Sequence, residues 1–143
     1  MIDVQLGRLC KLLRFAGFDC VSAGHLSQGA VISLCIREKR LFLSRNKHLS
    51  AMIRHIPHLL IDGEYVSDQL AEIRRIVPFN PEMFFTRCTV CNHELIPVNN
   101  QDVKIPGMPE NPVALKICPH CNHYYWKGSH FERMSQTLLS ISE

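Results

Sequence analysis

Two pairs, Cys88-Thr-Val-Cys91 and Cys118-Pro-His-Cys121, separated by residues 92–117, restrict this chain more than anything else in it. A C-x-x-C knuckle brings two thiolates to one side of a tight turn, and two knuckles complete a sulfur tetrahedron around one zinc ion. The residues between the pairs are enough to form a hairpin that returns the second knuckle to the first. Two disulfides, free thiols or a redox C-x-x-C are the alternatives; a reducing compartment disfavours the first, and duplication of the motif disfavours the last. Four cysteines saturate zinc, so the expected ion is structural, held by Cys88, Cys91, Cys118 and Cys121. His93, His120 and His123 flank them and are read as surface residues or neighbours of the ligands, with replacement of one cysteine by histidine as the alternative.

The surrounding segment needs a staple of this kind. IPVNNQDVKIPGMPENP is crowded with proline and asparagine and cannot bury much apolar surface alone. Upstream the pattern differs. Met1-Ile2-Asp3 reads as the end of a short strand, with only two residues before Asp3. Leu6, Leu9, Cys10 and Leu13 then recur with the spacing of one helical face, and Gly17 closes that helix. Asp19–Ser22 suggests a short strand, Ala30–Arg37 a helix, Leu41–Ser44 a strand, and Asn46–Arg54 a helix for which Asn46 suits the N-cap. His58–Asp62 is a further strand, and Ser67–Val77 a helix stopped by Pro78. Strands alternating with helices imply a parallel sheet flanked by helices. Pro78 and Pro81 mark a boundary, giving an α/β domain over 1–80 and a zinc ribbon with a C-terminal helix over 84–143. Ser129-His-Phe-Glu132 fits a capping box at the start of that last helix.

A chain of 143 residues with 46% hydrophobic composition is globular in class. No apolar run approaches the length of a spanning helix, and the N-terminal segment lacks a signal-peptide pattern, so a cytoplasmic protein without membrane contact is expected. Cys10, Cys20 and Cys35 stand singly in apolar segments and read as small buried hydrophobes. The formal charge of +3 leans weakly toward anionic partners. After the second knuckle, NHYYWKGSHFERM interleaves Tyr124, Tyr125, Trp126 and Phe131 with Lys127, His130 and Arg133, a composition suited to stacking on unpaired bases and meeting phosphates. Packing of alternate aromatics into a small core is the other reading.

LGRLCKLLRFAGFDC, LFLSRNKHL, TRCTVCNHEL and CPHCNHYYWKGSHFERM, in this order, resemble the Mut-seven C-terminal RNase domain family, described as a PIN-like ribonuclease domain followed by a zinc ribbon. The resemblance covers roughly Ile2 to Met134. It implies an α/β fold with a PIN-like parallel sheet, RNA as partner, and metal-dependent phosphodiester hydrolysis. In such nucleases, acidic residues at the carboxyl ends of strands hold magnesium or manganese. Asp3 matches the family's first-strand aspartate. Ser27-Gln28-Gly29 falls where the family has acidic residues. Leu43-Ser44-Arg45-Asn46 matches its L-T-R-D element, so Asn46 replaces the aspartate. Asp62 and Glu64 are candidate substitutes, although the favoured reading of Asp62-Gly63 is a simple turn.

The resemblance thus implies Asp3 and Asn46 as catalytic positions. Arg8, Lys11 and Arg14, every third residue on the first helix, together with Arg45, Trp126, Lys127 and His130, are candidates for RNA contact. Three functions follow: a ribonuclease with a depleted acidic site, a catalytically inactive RNA-binding or adaptor protein, and a zinc-ribbon protein-interaction module.

Overall fold

The computed structural model describes residues 1–24, 26–99 and 103–141. The chain divides into two compact units: Met1–Lys11 with Cys20–Pro78, and Leu12–Asp19 with the chain from Phe79 onward. The second unit therefore takes in a piece of the N-terminal region, well before the prolines that mark the boundary in the sequence.

In the first unit, strand β1 (Phe42–Ser44) pairs in parallel with β2 (His58–Leu60), Leu43 opposite Leu59. Ile2 forms single parallel rungs with Leu43 on one side and Ser22 on the other. The Ile2 N–H donates to Val21 O at 2.8 Å, the Asp3 N–H to Leu43 O at 2.9 Å, and the Leu43 N–H to Met1 O at 3.0 Å. Four short parallel segments thus lie side by side. Such strands are covered on both faces and are correspondingly apolar; all three residues of β1 are buried.

The helices of this unit are the start of α1 (Gly7–Phe15), whose residues from Leu12 on belong to the second unit, and α2 (Gln28–Arg37), α3 (Lys47–Met52) and α4 (Val66–Arg74). Ser27 caps α2, its Oγ accepting the Ala30 N–H, and Asn46 caps α3, its Oδ1 accepting the Leu49 N–H. Each cap satisfies a donor left over by the first helical turn. Met1, Val31, Cys35, Phe42, Ile53 and Ile56 pack as one buried cluster, each large side chain contributing about 1.5–3 kcal/mol by leaving water. Cys10 and Cys20 are buried as well, their sulfurs 3.5 Å apart.

Helix α1 ends as its sequence suggests. The Phe18 N–H reaches back to Leu13 O while Gly17 takes a φ of +93°, a left-handed closure that glycine adopts without strain. A β-carbon on Gly17 would lie 2.6 Å from Met83 O, so close packing reinforces the choice.

The second unit carries an antiparallel sheet of β3 (Ile96–Pro97), β4 (Val113–Ile117) and β5 (Tyr124–Lys127), followed by α5 (Ser129–Leu139). Residues 100–102 of the proline- and asparagine-rich stretch lie outside the described residues. Ala114, at φ +52°, marks a bulge in the β4–β5 register. Phe85 and Phe131 meet edge to face at 5.2 Å, and Phe15 and Phe131 at 5.4 Å, forming the aromatic interior of this unit.

The expected capping box is not formed. Gly128 occupies the N-cap and Ser129 is the first helical residue, with no side-chain cap bond. Gly128 passes against the Trp126 indole so closely that a β-carbon would stand 3.2 Å from its Nε1. The chain turns into α5 at this contact, one residue earlier than the sequence pattern implies. Among the described residues, no helix is long and apolar enough to cross a membrane.

Candidate metal centre and nuclease site

The two knuckles repeat each other bond for bond. The Cys88 N–H donates to His93 O at 2.8 Å and the Asn92 N–H to Cys88 O at 2.9 Å. In the second knuckle, the Cys118 N–H donates to His123 O and the Asn122 N–H to Cys118 O, both at 2.9 Å. Asn92 (φ +74°) and Asn122 (φ +59°) hold the left-handed position that closes each loop, and asparagine tolerates that position better than most residues. The repeated Cys-Asn-His after each pair is the sequence trace of this geometry.

Four sulfurs converge as a result. Cys88 to Cys121 and Cys91 to Cys121 measure 3.5 Å, and Cys91 to Cys118 measures 3.3 Å. These separations are far from a disulfide bond of about 2.05 Å. They approach the edge of a tetrahedron with metal–sulfur bonds of about 2.3 Å. Cys88, Cys91, Cys118 and Cys121 lie close enough to hold one metal ion.

The electrostatics of the bare thiols point the same way. Burial opposes the Cys88 thiolate, but the hydrogen bond with the Tyr125 hydroxyl (3.0 Å) and the N–H groups of Cys91 and Val90 outweigh it, bringing the thiol down to about 6. Burial pushes Cys91 up to about 12 against the opposing His93 N–H, and the neighbouring thiols add to the rise. Cys121 is raised, again chiefly by burial. A divalent ion among the four sulfurs would favour thiolates throughout.

Arg14 belongs to this centre. It is buried, and its Nη1 donates to Thr89 O at 3.1 Å and Val90 O at 2.7 Å, tying the first knuckle to the end of α1. Its spacing from Arg8 and Lys11 suggested an open basic flank; those two are exposed, whereas Arg14 is turned inward. Asn92 Nδ2 reaches Asp19 Oδ1 at 2.6 Å, a second tie to the same N-terminal segment. The His93 and His120 rings stack at 4.0 Å within 4° of parallel. With Cys91 they form a second, more exposed group whose ligand atoms lie within 4.8 Å of one another.

The other candidate site lies in the first unit, where Ile2 and β1 end. Ser44 is fully buried; its Oγ accepts the Asn46 N–H at 3.0 Å and donates to Asp3 Oδ2 at 2.8 Å. One hydroxyl thus links the two positions that the family resemblance singles out. Sequence reasoning passed over Ser44, although it occupies the threonine position of the L-T-R-D element.

Asn46 Oδ1 is engaged in capping α3, and Arg45 is exposed beside it. Asp62 points outward, 4.0 Å from Lys47 Nζ, and the Asp62 and Gly63 N–H groups are held by Glu72 at 3.1 and 2.6 Å. Asp3 is therefore the one carboxylate that these contacts aim at Ser44. In the second unit, Trp126 is half-buried, while Lys127 and His130 are exposed.

No curated protein and no solved structure matches the chain. The Mut7-C RNAse domain matches residues 1–138, nearly the whole length, and the chain belongs to that family.

Proposed function

We propose that this protein acts on RNA by metal-dependent phosphodiester hydrolysis, on a PIN-like body, with a structural zinc ion in its second unit. The observation that carries the reading is the Asn46–Ser44–Asp3 chain at the carboxyl ends of parallel strands, the place where open α/β sheets gather ligands. Magnesium or manganese fits there in a minimal way. Such ions accept one or two protein carboxylates when substrate phosphate and water supply the remaining oxygens. Asp3 would be the charged ligand, and Asn46 a neutral one through whatever capacity its capped oxygen retains. When bound, the cation would polarise the phosphate and favour hydroxide over water.

The protein's own groups have separate tasks in this reading. Ser44 holds the Asp3 carboxylate in one orientation and engages its Oδ2, leaving the other oxygen for ligation. Arg8, Lys11 and Arg45 are exposed cations of the same unit and suit the RNA backbone. Trp126, Lys127 and His130 suit bases and phosphates from the second unit. The cytoplasm, where thiols stay reduced, suits the four-cysteine centre.

A specific observation favours a second reading, a non-catalytic RNA-binding or adaptor protein: the amide at position 46 already serves α3, and the opening of α2 offers Ser27 and Gln28 in place of acids. Labelled RNA incubated with manganese decides between them. Cleavage by the wild type and its loss in Asp3→Ala supports hydrolysis. Salt-sensitive binding without cleavage supports the adaptor.

A further inference from the structure

The second unit contains a cavity of about 280 Å³ that the metal centre does not use. Its walls come from four places in the sequence, one of them Gly107 in the loop between the two knuckles. Phe15 arrives from the end of α1; Phe85, Arg87 and Thr89 flank the first knuckle; Tyr124, Trp126 and Phe131 come from β5 and α5. The size lies near the lower end of small-ligand pockets, about 300 Å³, which suits a single planar ring system better than a peptide.

We propose that this cavity is a subsite for one unpaired nucleobase of an RNA strand, whose phosphates meet Lys127 and Arg87; the assignment rests on the RNA reading given above. Aromatic walls offer π-faces to any base, the feature that lets single-stranded nucleic acid bind without strict sequence readout. Thr89, Ser129 and His130 add hydroxyl and imidazole groups to the same lining, where base edges need partners. Positive charge stands at the walls. The Lys127 ammonium lies 5.3 Å from the centre of the Phe131 ring, and Arg87 is fixed by Asn92 O at 3.0 Å. The exposed Glu94 carboxylate, 3.4 Å from Arg87, offsets part of that charge, leaving Lys127 as the main cation for a phosphate.

The walls are also rigid in advance. Phe85 and Phe131 pack edge to face, Tyr125 is tied to the Cys88 sulfur, and Gly128 closes on the indole edge of Trp126. Preformed walls lose little freedom when a ring enters.

Trp126 is the chain's single tryptophan, so its fluorescence reports on this one wall of the cavity. The full-length, metal-loaded protein is titrated, without added magnesium or manganese, with oligouridylate, oligoadenylate and an abasic ribose-phosphate oligomer of equal length. Saturable quenching by the base-bearing oligomers, with the abasic oligomer at least about tenfold weaker, is expected from one base–aromatic stack. Tyr124→Leu, which keeps bulk and removes the ring face, and the exposed-site change His130→Ala should each weaken the quenching titration several-fold while bound metal stays constant. Equal quenching by abasic and base-bearing oligomers, or none by either, would overturn the subsite. Manganese-dependent cleavage measured in parallel separates the two ideas. Cleavage without base-dependent quenching removes the pocket and keeps the ribonuclease; absence of both cleavage and all RNA binding removes both.

Discussion

The two units solve the problem of being small in opposite ways. The first distributes its stability over many apolar contacts around Phe42, Ile53 and Ile56. The second concentrates it. Beside an aromatic interior around Phe85 and Phe131, its chain is drawn together at Cys88, Cys91, Cys118 and Cys121. The contrast extends to function. In the proposed reading, the four-cysteine centre would have its full ligand set, whereas the strand-end site would offer a cation Asp3 and otherwise neutral groups. A centre whose ligands also hold the chain together tolerates little loss; a catalytic site on an independently stable body can lose ligands without unfolding it.

The strongest way to break this contrast is Cys118→Ser. If the second unit depends on its ion, bound zinc falls to a fraction of one per chain and the near-ultraviolet signal of Tyr125 and Trp126 collapses. The loss is on the order of 10 kcal/mol, typical of structural zinc in small modules. Acid should imitate the mutation. The bound form carries thiolates, while the unfolded chain carries thiols titrating near about 8.5, so unfolding takes up protons and stability rises with pH. Lowering the pH must therefore release the metal, which a chromogenic chelator would record. Phe42→Ala comes next, with a cost of about 3–5 kcal/mol for a buried phenylalanine, read by denaturant unfolding. Zinc content below that transition should stay unchanged; joint loss of both would erase the proposed independence.

Ser44→Ala is smaller, about 1–3 kcal/mol, because the Asn46 N–H loses its acceptor and the Asp3 carboxylate its donor. Its informative readout is cleavage, which should fall further than stability if Asp3 must be oriented. The smallest expected change in stability belongs to Asn46→Asp, a few tenths of a kcal/mol without cation, since aspartate caps helices as well as asparagine does. Manganese should then raise the melting temperature of the variant more than that of the wild type, by selective binding to the folded form. A variant indifferent to manganese would argue that the strand-end site takes no metal.

Much of this was legible from the residues. The spacing of cysteines leads directly to the sulfur cluster, and the alternation of apolar runs to the small parallel sheet, because both rest on local patterns. What escaped depends on partners distant in sequence. Arg14 shares a spacing with Arg8 and Lys11, yet two carbonyls near Cys88, some 75 residues on, turn it inward. Ser44 looks like any strand residue until Asp3 comes beside it. The walls supplied by Phe15 and Phe85 are apolar residues with no polar signature, and only the closing of the second unit around them makes a cavity. Ser129 failed as a cap because Gly128 and the Trp126 ring already determine where the helix begins.

Leu12–Asp19 belongs to the unit completed by the chain from Phe79 onward, nearly half of its length. During synthesis that octapeptide precedes its partners and must wait for Thr89 and Val90 to seat Arg14 and for Phe131 of α5 to complete the surroundings of Phe15. A fragment cut at the proline-marked boundary would strand these two residues on the wrong side, leaving the ribbon with bare aromatic rings. Excision at that boundary would thus leave the ribbon's interior unfinished, and the four cysteines would close on a unit that lacks two of its inner side chains.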